Sequence, residues 1–167
     1  MSTTLHTPRT VVSGAALGAS LDFATAKKQL TGHRALVMEE DAESFGRMFL
    51  SLSSAGCSAT LARRWAQVDP MSRRTRPTMV LFSTQLAEMS GDEIVHRLRE
   101  NPATRDAVLV AIAGRELKKE RRKLLDLGCD GYVWKPADRY LFAMDLVART
   151  PLLLQEGAGA VHRTSNA

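Results

Sequence analysis

Met79-Val80-Leu81-Phe82-Ser83 is a run of four apolar residues closing on a hydroxyl, and its reading decides the fold. A short, continuous apolar run suits a strand covered on both faces, not one alternating between core and water. Three further runs of this kind follow the same rule: Ala35 to Met38, Val108 to Ala113, and Tyr132 to Trp134. Between them the period changes. Phe45, Met48, Phe49 and Leu52 stand at i, i+3, i+4, i+7; Ile94, Val95 and Leu98 repeat that spacing, and Leu117, Leu124 and Leu125 mark a thinner stripe. Strand alternating with helix implies a parallel sheet with right-handed crossovers and helices on both faces. In such open sheets the functional crevice lies at the carboxyl ends of the strands. Glu39, Glu40, Ser83, Ala113 and Lys135 each follow or end a strand, so this topology gathers them at one rim.

Composition narrows the class. A chain of 167 residues can bury one real core and leaves no room for a second full domain. Apolar residues at 44% and charged ones at 25% are ordinary values for a globular chain, while aromatics at 5% are sparse. The longest apolar stretches fall far below the roughly 18 residues of a membrane span, and no charged-then-apolar signal segment opens the chain. A cytoplasmic location is therefore expected. Cys57 and Cys129 are too few for a disulfide framework. Buried, inert thiols are the plainer expectation.

Four ordered blocks carry a resemblance. Arg34-Ala35-Leu36-Val37-Met38-Glu39-Glu40-Asp41 resembles the first strand and acidic pair of a bacterial response-regulator receiver domain. Phe82-Ser83-Thr84-Gln85-Leu86-Ala87-Glu88-Met89-Ser90-Gly91 resembles that family's phosphoacceptor strand and following loop. Asn101-Pro102-Ala103-Thr104-Arg105-Asp106 resembles its link into the fourth strand, and Gly128-Cys129-Asp130-Gly131-Tyr132-Val133-Trp134-Lys135-Pro136 its fifth-strand signature. The resemblance implies a doubly wound (βα)5 flavodoxin-like α/β fold, a parallel five-stranded sheet of order 2-1-3-4-5. It spans residues 34–149, leaving 1–33 as an N-terminal extension, expected to be mostly flexible with a short helix over Leu21 to Leu30, and 150–167 as a C-terminal tail. The tail is expected to lose order from Gly157, and neither end is long enough for a DNA-binding or catalytic output domain.

What the resemblance implies for chemistry is mostly loss. In receivers two acidic residues after strand 1 and an aspartate after strand 3 hold magnesium. That aspartate takes a phosphoryl group from phosphohistidine, a lysine after strand 5 contacts the phosphoryl group, and a hydroxyl after strand 4 completes the switch. Carried over by position, the acidic pair is Glu39 and Glu40, the acceptor is Ser83, the hydroxyl position is Ala113, and the lysine is Lys135. Tyr132 takes the position of the switch aromatic, and its orientation is not readable from sequence. A serine needs a base before it can attack, and its phosphate ester lacks the lability of an acyl phosphate. Glu39, Glu40 and Lys135 sum to a formal −1 where the usual set sums to −2. A charge pair at 4 Å is worth roughly 4 kcal/mol at an effective dielectric near 20, so even a third of one costs about tenfold in metal affinity. Glutamates also crowd an octahedral ion that wants oxygens at about 2.0 to 2.1 Å. No catalysis, no metal and no cofactor are expected here. Lys135 is expected to pair with Glu39 or Glu40 instead, and Lys135–Pro136 to be cis by resemblance.

Two other features can carry contacts. Arg115 to Lys123 makes the helix before strand 5 strongly basic, and Arg63, Arg64, Arg73, Arg74 and Arg76 cluster around the helix after strand 2. With net charge +5 and pI near 9.6 an acidic partner or nucleic acid is conceivable. No nucleic-acid motif or aromatic interleaving accompanies the charges, so a solvated face with pairing such as Glu116 to Lys119 is the plainer reading. Asp69 to Pro77 reads as a long exposed loop. The last helix, which Asp138 can cap, holds Tyr140, Leu141, Phe142, Met144, Leu146 and Val147, too many apolar residues for one buried stripe. In receivers the face built from helix 4, strand 5 and helix 5 meets partners or a second copy. The expected interaction face is therefore Arg115, Lys119, Arg122, Trp134, Tyr140, Phe142 and Met144, unless the tail at Leu152 to Leu154 folds back over it. His6, His33, His96 and His162 are scattered and suggest neither a metal cluster nor a phosphotransfer histidine.

The expectation is a stand-alone pseudo-receiver acting by phosphorylation-independent protein contacts in bacterial signalling. Its partner would be a histidine kinase or another regulator, with a homodimer through helix 4, strand 5 and helix 5 as one form. The alternatives are a switch modified at Ser83 with a neighbouring glutamate as base, and a nucleic-acid binder working through the basic helix, which is disfavoured.

Overall fold

The computed structural model describes residues 21–115, 117–136 and 138–154. Five strands, β1 (Arg34–Met38), β2 (Ser58–Ala62), β3 (Met79–Ser83), β4 (Val108–Ala113) and β5 (Gly131–Trp134), form one sheet of order β2-β1-β3-β4-β5, parallel throughout. β3 and β4 are buried along their whole length, as strands sandwiched between helices must be. β2 (Ser-Ala-Thr-Leu-Ala) is half-exposed at the edge, which is why it lacks a clear apolar run.

Among the described residues six α-helices flank the sheet: α1 (Phe23–Leu30), α2 (Ala42–Ser54), α3 (Val68–Thr75), α4 (Gly91–Glu100), α5 (Lys118–Asp126) and α6 (Arg139–Ala148). One core joins α1, α2, α6 and a closing 3-10 turn at Pro151–Leu154 to Val37, Leu81, Val110 and Val133 of the sheet. The other joins α3, α4 and α5 to Leu36, Val80, Leu109 and Tyr132. Asp41, Ser90 and Asp138 each cap a helix by accepting backbone amides, as short polar side chains do at that position. On α2 the buried stripe centres on Met48, Ser51 and Leu52, so Phe49 stays 41% exposed. On α5 only Leu124 is buried, Leu125 is half-buried, and Leu117 lies ahead of the helix, exposed.

Three expectations are corrected. Asp69 to Thr75 is helix rather than loop: Pro70 falls in the first turn of α3, where a missing N–H costs nothing, and the helix ends at Arg76, whose φ of 47° is left-handed. Lys135–Pro136 is trans, since there is no cis peptide bond among the described residues; trans is favoured by about 0.5 to 1 kcal/mol even before proline. The surplus apolar face of α6 is largely covered. Phe142, Ala143, Leu146 and Val147 are all buried, in one cluster with Ala26 and Leu30 of α1 and with Leu153. Phe23 sets its ring edge-on to Tyr140 at 6.2 Å. The tail does fold back, and a helix ahead of β1 joins it. The expected mobility of 1–20 and the loss of order from Gly157 fall outside the described residues, as do His6, His162 and Glu116.

Candidate functional site

The parallel register decides what meets at the carboxyl rim. Met38 lies beside Phe82, Ser83 beside Ile112, and Ala113 beside Trp134, so residues that leave these strands start from neighbouring positions. The pairing continues one step past two strand ends, through Thr84 N–H to the Ile112 carbonyl (2.9 Å) and Lys135 N–H to the Ala113 carbonyl (2.8 Å). Lys135 and the residues after β1 are thereby brought face to face.

Glu39 turns inward and is 2% exposed. Its Oε1 accepts the Asp41 amide at 3.0 Å and Lys135 Nζ at 3.3 Å, while Nζ lies 3.1 Å from Oε2. Oε2 has no well-directed hydrogen bond, so that contact is an ion pair in a nearly dry setting. Glu40 turns the other way, remains exposed and accepts the Ala87 amide at 3.0 Å, tying the end of β1 to the loop after β3. The glutamates therefore diverge. Ser83 is 2% exposed and its Oγ accepts the Gln85 amide at 3.2 Å, closing a local turn.

A divalent ion of the kind receivers hold does not fit this set. Glu39 already faces an ammonium, Glu40 is bound to a backbone amide, and Ser83 brings no charge. No group of three or more His, Cys, Asp or Glu among the described residues is arranged to take a metal.

Beyond β4, Ala113 is buried and offers no hydroxyl. Tyr132 points inward, 3% exposed, and its hydroxyl donates to Glu120 Oε1 of α5 at 2.8 Å. Trp134 packs edge-on against it at 5.7 Å and carries the Arg149 guanidinium 5.2 Å above its ring. Sequence reasoning did not find Glu120, because a glutamate in a basic helix reads as surface pairing.

The residues expected to form an interaction face separate in the structure. Arg115, Lys119 and Arg122 are exposed, and Tyr140 is half-exposed against Phe23. Phe142 is buried and cannot meet a partner, because α6 turns it toward α2 and α1; Met144 is half-buried against the same core, and Trp134 is half-buried between Tyr132 and Arg149. His33 is buried where α1 runs into β1, its Nδ1 2.9 Å from Thr78 Oγ1; burial first, and the adjacent Arg34 second, hold its imidazole below the usual range. Both cysteines are buried free thiols, and burial pushes each up to about 12.

A buried staple also escaped the sequence. Arg99 donates to the carbonyls of Arg105, Ala107 and Gly128 and to Asp130 Oδ2 (2.9 Å), which also accepts the Leu109 amide. It locks the end of α4 to β4 and to the turn before β5.

No protein-family model matches the chain. It is 26% identical over 104 residues to the polar-differentiation response regulator DivK of Brucella anthropi, covering 62% of this chain and 85% of that protein. Among solved structures it is similar to the signal receiver domain of a DNA-binding response regulator from Colwellia psychrerythraea (TM-score 0.61, 20% identity, 74% of this chain and 99% of that one). It is also similar to the receiver domain of a sensor histidine kinase from Pseudomonas aeruginosa, a structure with magnesium in the active-site cleft (TM-score 0.59, 21% identity, 72% and 99%). The fold is that of response-regulator receivers.

Proposed function

We propose that this receiver-fold chain is a response regulator whose output is set by binding another protein and not by phosphorylation. The observation that supports it best is the Lys135–Glu39 ion pair standing beside Ser83, where the fold would otherwise hold an aspartate and a metal. A lysine free to meet a phosphoryl group would have to leave a carboxylate that is almost fully buried. Breaking such a pair strands a charge away from water, which costs several kcal/mol.

Modification of Ser83 has little to work with. A nucleophilic hydroxyl needs a base within hydrogen-bond reach, yet Glu39 is engaged by Lys135 and Asp41, and Glu40 by Ala87. An external kinase would have to reach a hydroxyl that is buried. Weak or absent magnesium binding belongs to the same reading, as do a non-enzymatic role and a cytoplasmic signalling partner such as a histidine kinase or another regulator. Among the described residues no helix is long and apolar enough to cross a membrane. With α6 mostly covered, a homodimer through the expected face would have to rely on α5 and the exposed remainder of α6.

Intact-mass measurement after incubation with magnesium and acetyl phosphate tests the proposal, with Ser83→Asp and an active receiver alongside. The expected result is no phosphoryl adduct on the wild type while the control is modified. A wild-type adduct mapping to Ser83 would overturn it.

A further inference from the structure

β2 is an edge strand without the usual guards. Ser58 N–H reaches the His33 carbonyl at 3.0 Å and the Ala62 carbonyl accepts the Glu39 amide at 3.2 Å, so residues 58, 60 and 62 face β1. Ala59 and Leu61, between them, turn their N–H and C=O groups outward, away from the sheet. Edge strands are ordinarily kept apart from other strands by a charge, a proline or a bulge. Ser-Ala-Thr-Leu-Ala has no charge and no proline, and its register against β1 is unbroken.

The helix above this edge adds an apolar shelf. α2 packs on β2 and on α6. Two contacts fix which flank of α2 meets α6: Ser51 Oγ accepts the Ala143 amide at 3.0 Å, and Arg47 donates to the Pro136 carbonyl at 3.4 Å. Phe49 stands about 200° around the helix from both, at roughly 100° per residue, which turns it to the opposite flank, above the open edge of β2. Phe45 lies one turn before it, with the two ring centroids 5.8 Å apart. Unlike the apolar residues that α6 turns to the core, Phe49 is left 41% exposed.

We propose that two copies of this chain join edge to edge through β2, paired antiparallel about Thr60, with Phe45 and Phe49 of both copies meeting over the seam. The strand is complementary to itself. A two-fold axis at Thr60 sets Ala59 against Leu61 of the other copy and Leu61 against its Ala59, each pair exchanging both hydrogen bonds. That axis runs perpendicular to the sheet, so both α2 helices fall on the same face. In this register Arg63 and Arg64, both exposed, come opposite Cys57 and Gly56 of the other copy. Those residues follow the C-terminal end of α2, the negative end of its dipole, which has no cation in its own last turn. Strand, shelf and charge thus match an identical copy, as an isologous interface requires. β2 lies at the far end of the sheet from β5, and the pairing needs nothing from the rim chemistry, so it stands apart from the phosphorylation question.

Disulfide trapping on the full chain tests the register. Thr60→Cys meets its own copy at a non-hydrogen-bonded pair, where Cα atoms stand about 4.5 Å apart, within bridging range. Ser58→Cys is the exposed control, because it faces Ala62 of the other copy; Cys57 and Cys129 are buried. Thr60→Cys is expected to cross-link about tenfold faster than Ser58→Cys or more, since only the first brings two thiols together. Sedimentation velocity from about 1 µM to about 1 mM reads the affinity. A reversible dimer is expected. Phe49→Ser should weaken it about tenfold or more by removing apolar burial twice over. Ala59→Pro should do the same, since it removes an outward N–H while leaving the bonds to β1 in place. A monomer at every concentration, equal cross-linking at the two positions, or a dimer indifferent to both substitutions would overturn the inference.

Discussion

The helices before and after β5 have opposite fates. α6, the more apolar, buries Phe142, Ala143, Leu146 and Val147 and is covered by α1 and the Pro151–Leu154 turn. α5, the more charged, buries one leucine and keeps Lys118, Lys119, Arg122 and Lys123 exposed. An apolar surplus on a helix therefore need not mark a docking surface; it can mark a face that another part of the same chain closes. Of the residues expected to form an interaction face, Arg115, Lys119, Arg122 and Tyr140 are the ones that stay exposed.

The sharpest way to break this contrast is to open the sealed side. Leu30 of α1 is fully buried against α6 and the closing turn. Leu30→Ala is expected to destabilise the chain by about 2 to 5 kcal/mol in urea unfolding, the range for a large-to-small change in a packed core. A loss within about 0.5 kcal/mol, the size of an ordinary surface change, would mean that α1 rests on the domain without sealing it.

The rim comes next. Lys135→Ala strands the buried Glu39 carboxylate, and a cost of roughly 2 to 3 kcal/mol is expected, below the usual range for a buried pair because Lys135 keeps some contact with water. Glu39→Gln with Lys135→Met should recover most of it, since removing both charges avoids the stranded one. A melting temperature unchanged in Lys135→Ala would show that the pair holds nothing together.

How much of this was legible follows from where the information lies. Strands covered on both faces announce themselves as apolar runs, and Glu39, Ser83, Ala113 and Lys135 could be placed because they end or follow those runs. β2 is an edge strand and gave no such signal. The orientation of Tyr132 depends on Glu120, a residue from another element, and no local pattern reports that bond. The covering of α6 was half-visible. Phe23, Ala26 and Leu30 stand at i, i+3 and i+7, a stripe needing a partner, while α6 had apolar residues to spare. The two halves of one contact lay more than a hundred residues apart.

A smaller effect sharpens the contrast through pH. His33 lies at the junction between α1 and the sheet, and its imidazole is held below the usual range mainly by burial. A depressed histidine favours the neutral form in the folded state. The stability it preserves is complete above the unfolded value near 6.5 and is lost as pH falls below it, with a slope of at most about 1.4 kcal/mol per pH unit for one proton. His33→Asn should flatten the dependence of melting temperature on pH between neutrality and mild acid; an unchanged curve would assign that dependence to other groups. The smallest effect belongs to α5. Lys119→Glu or Arg122→Glu alone should move stability by no more than about 0.5 kcal/mol, as exposed positions do, and a larger loss would mean that the open face is part of the fold.

The proposed function requires a rim that does not signal to α5. Amide NMR spectra recorded with and without magnesium and beryllofluoride, a phosphoryl mimic, test that link directly. The account predicts that the amides of Ser83, Tyr132 and residues Lys119 to Leu127 stay in place at every concentration. Saturable shifts running from Ser83 through Tyr132 into α5 would contradict it, and would mean that the site still senses a phosphoryl group and passes the signal on.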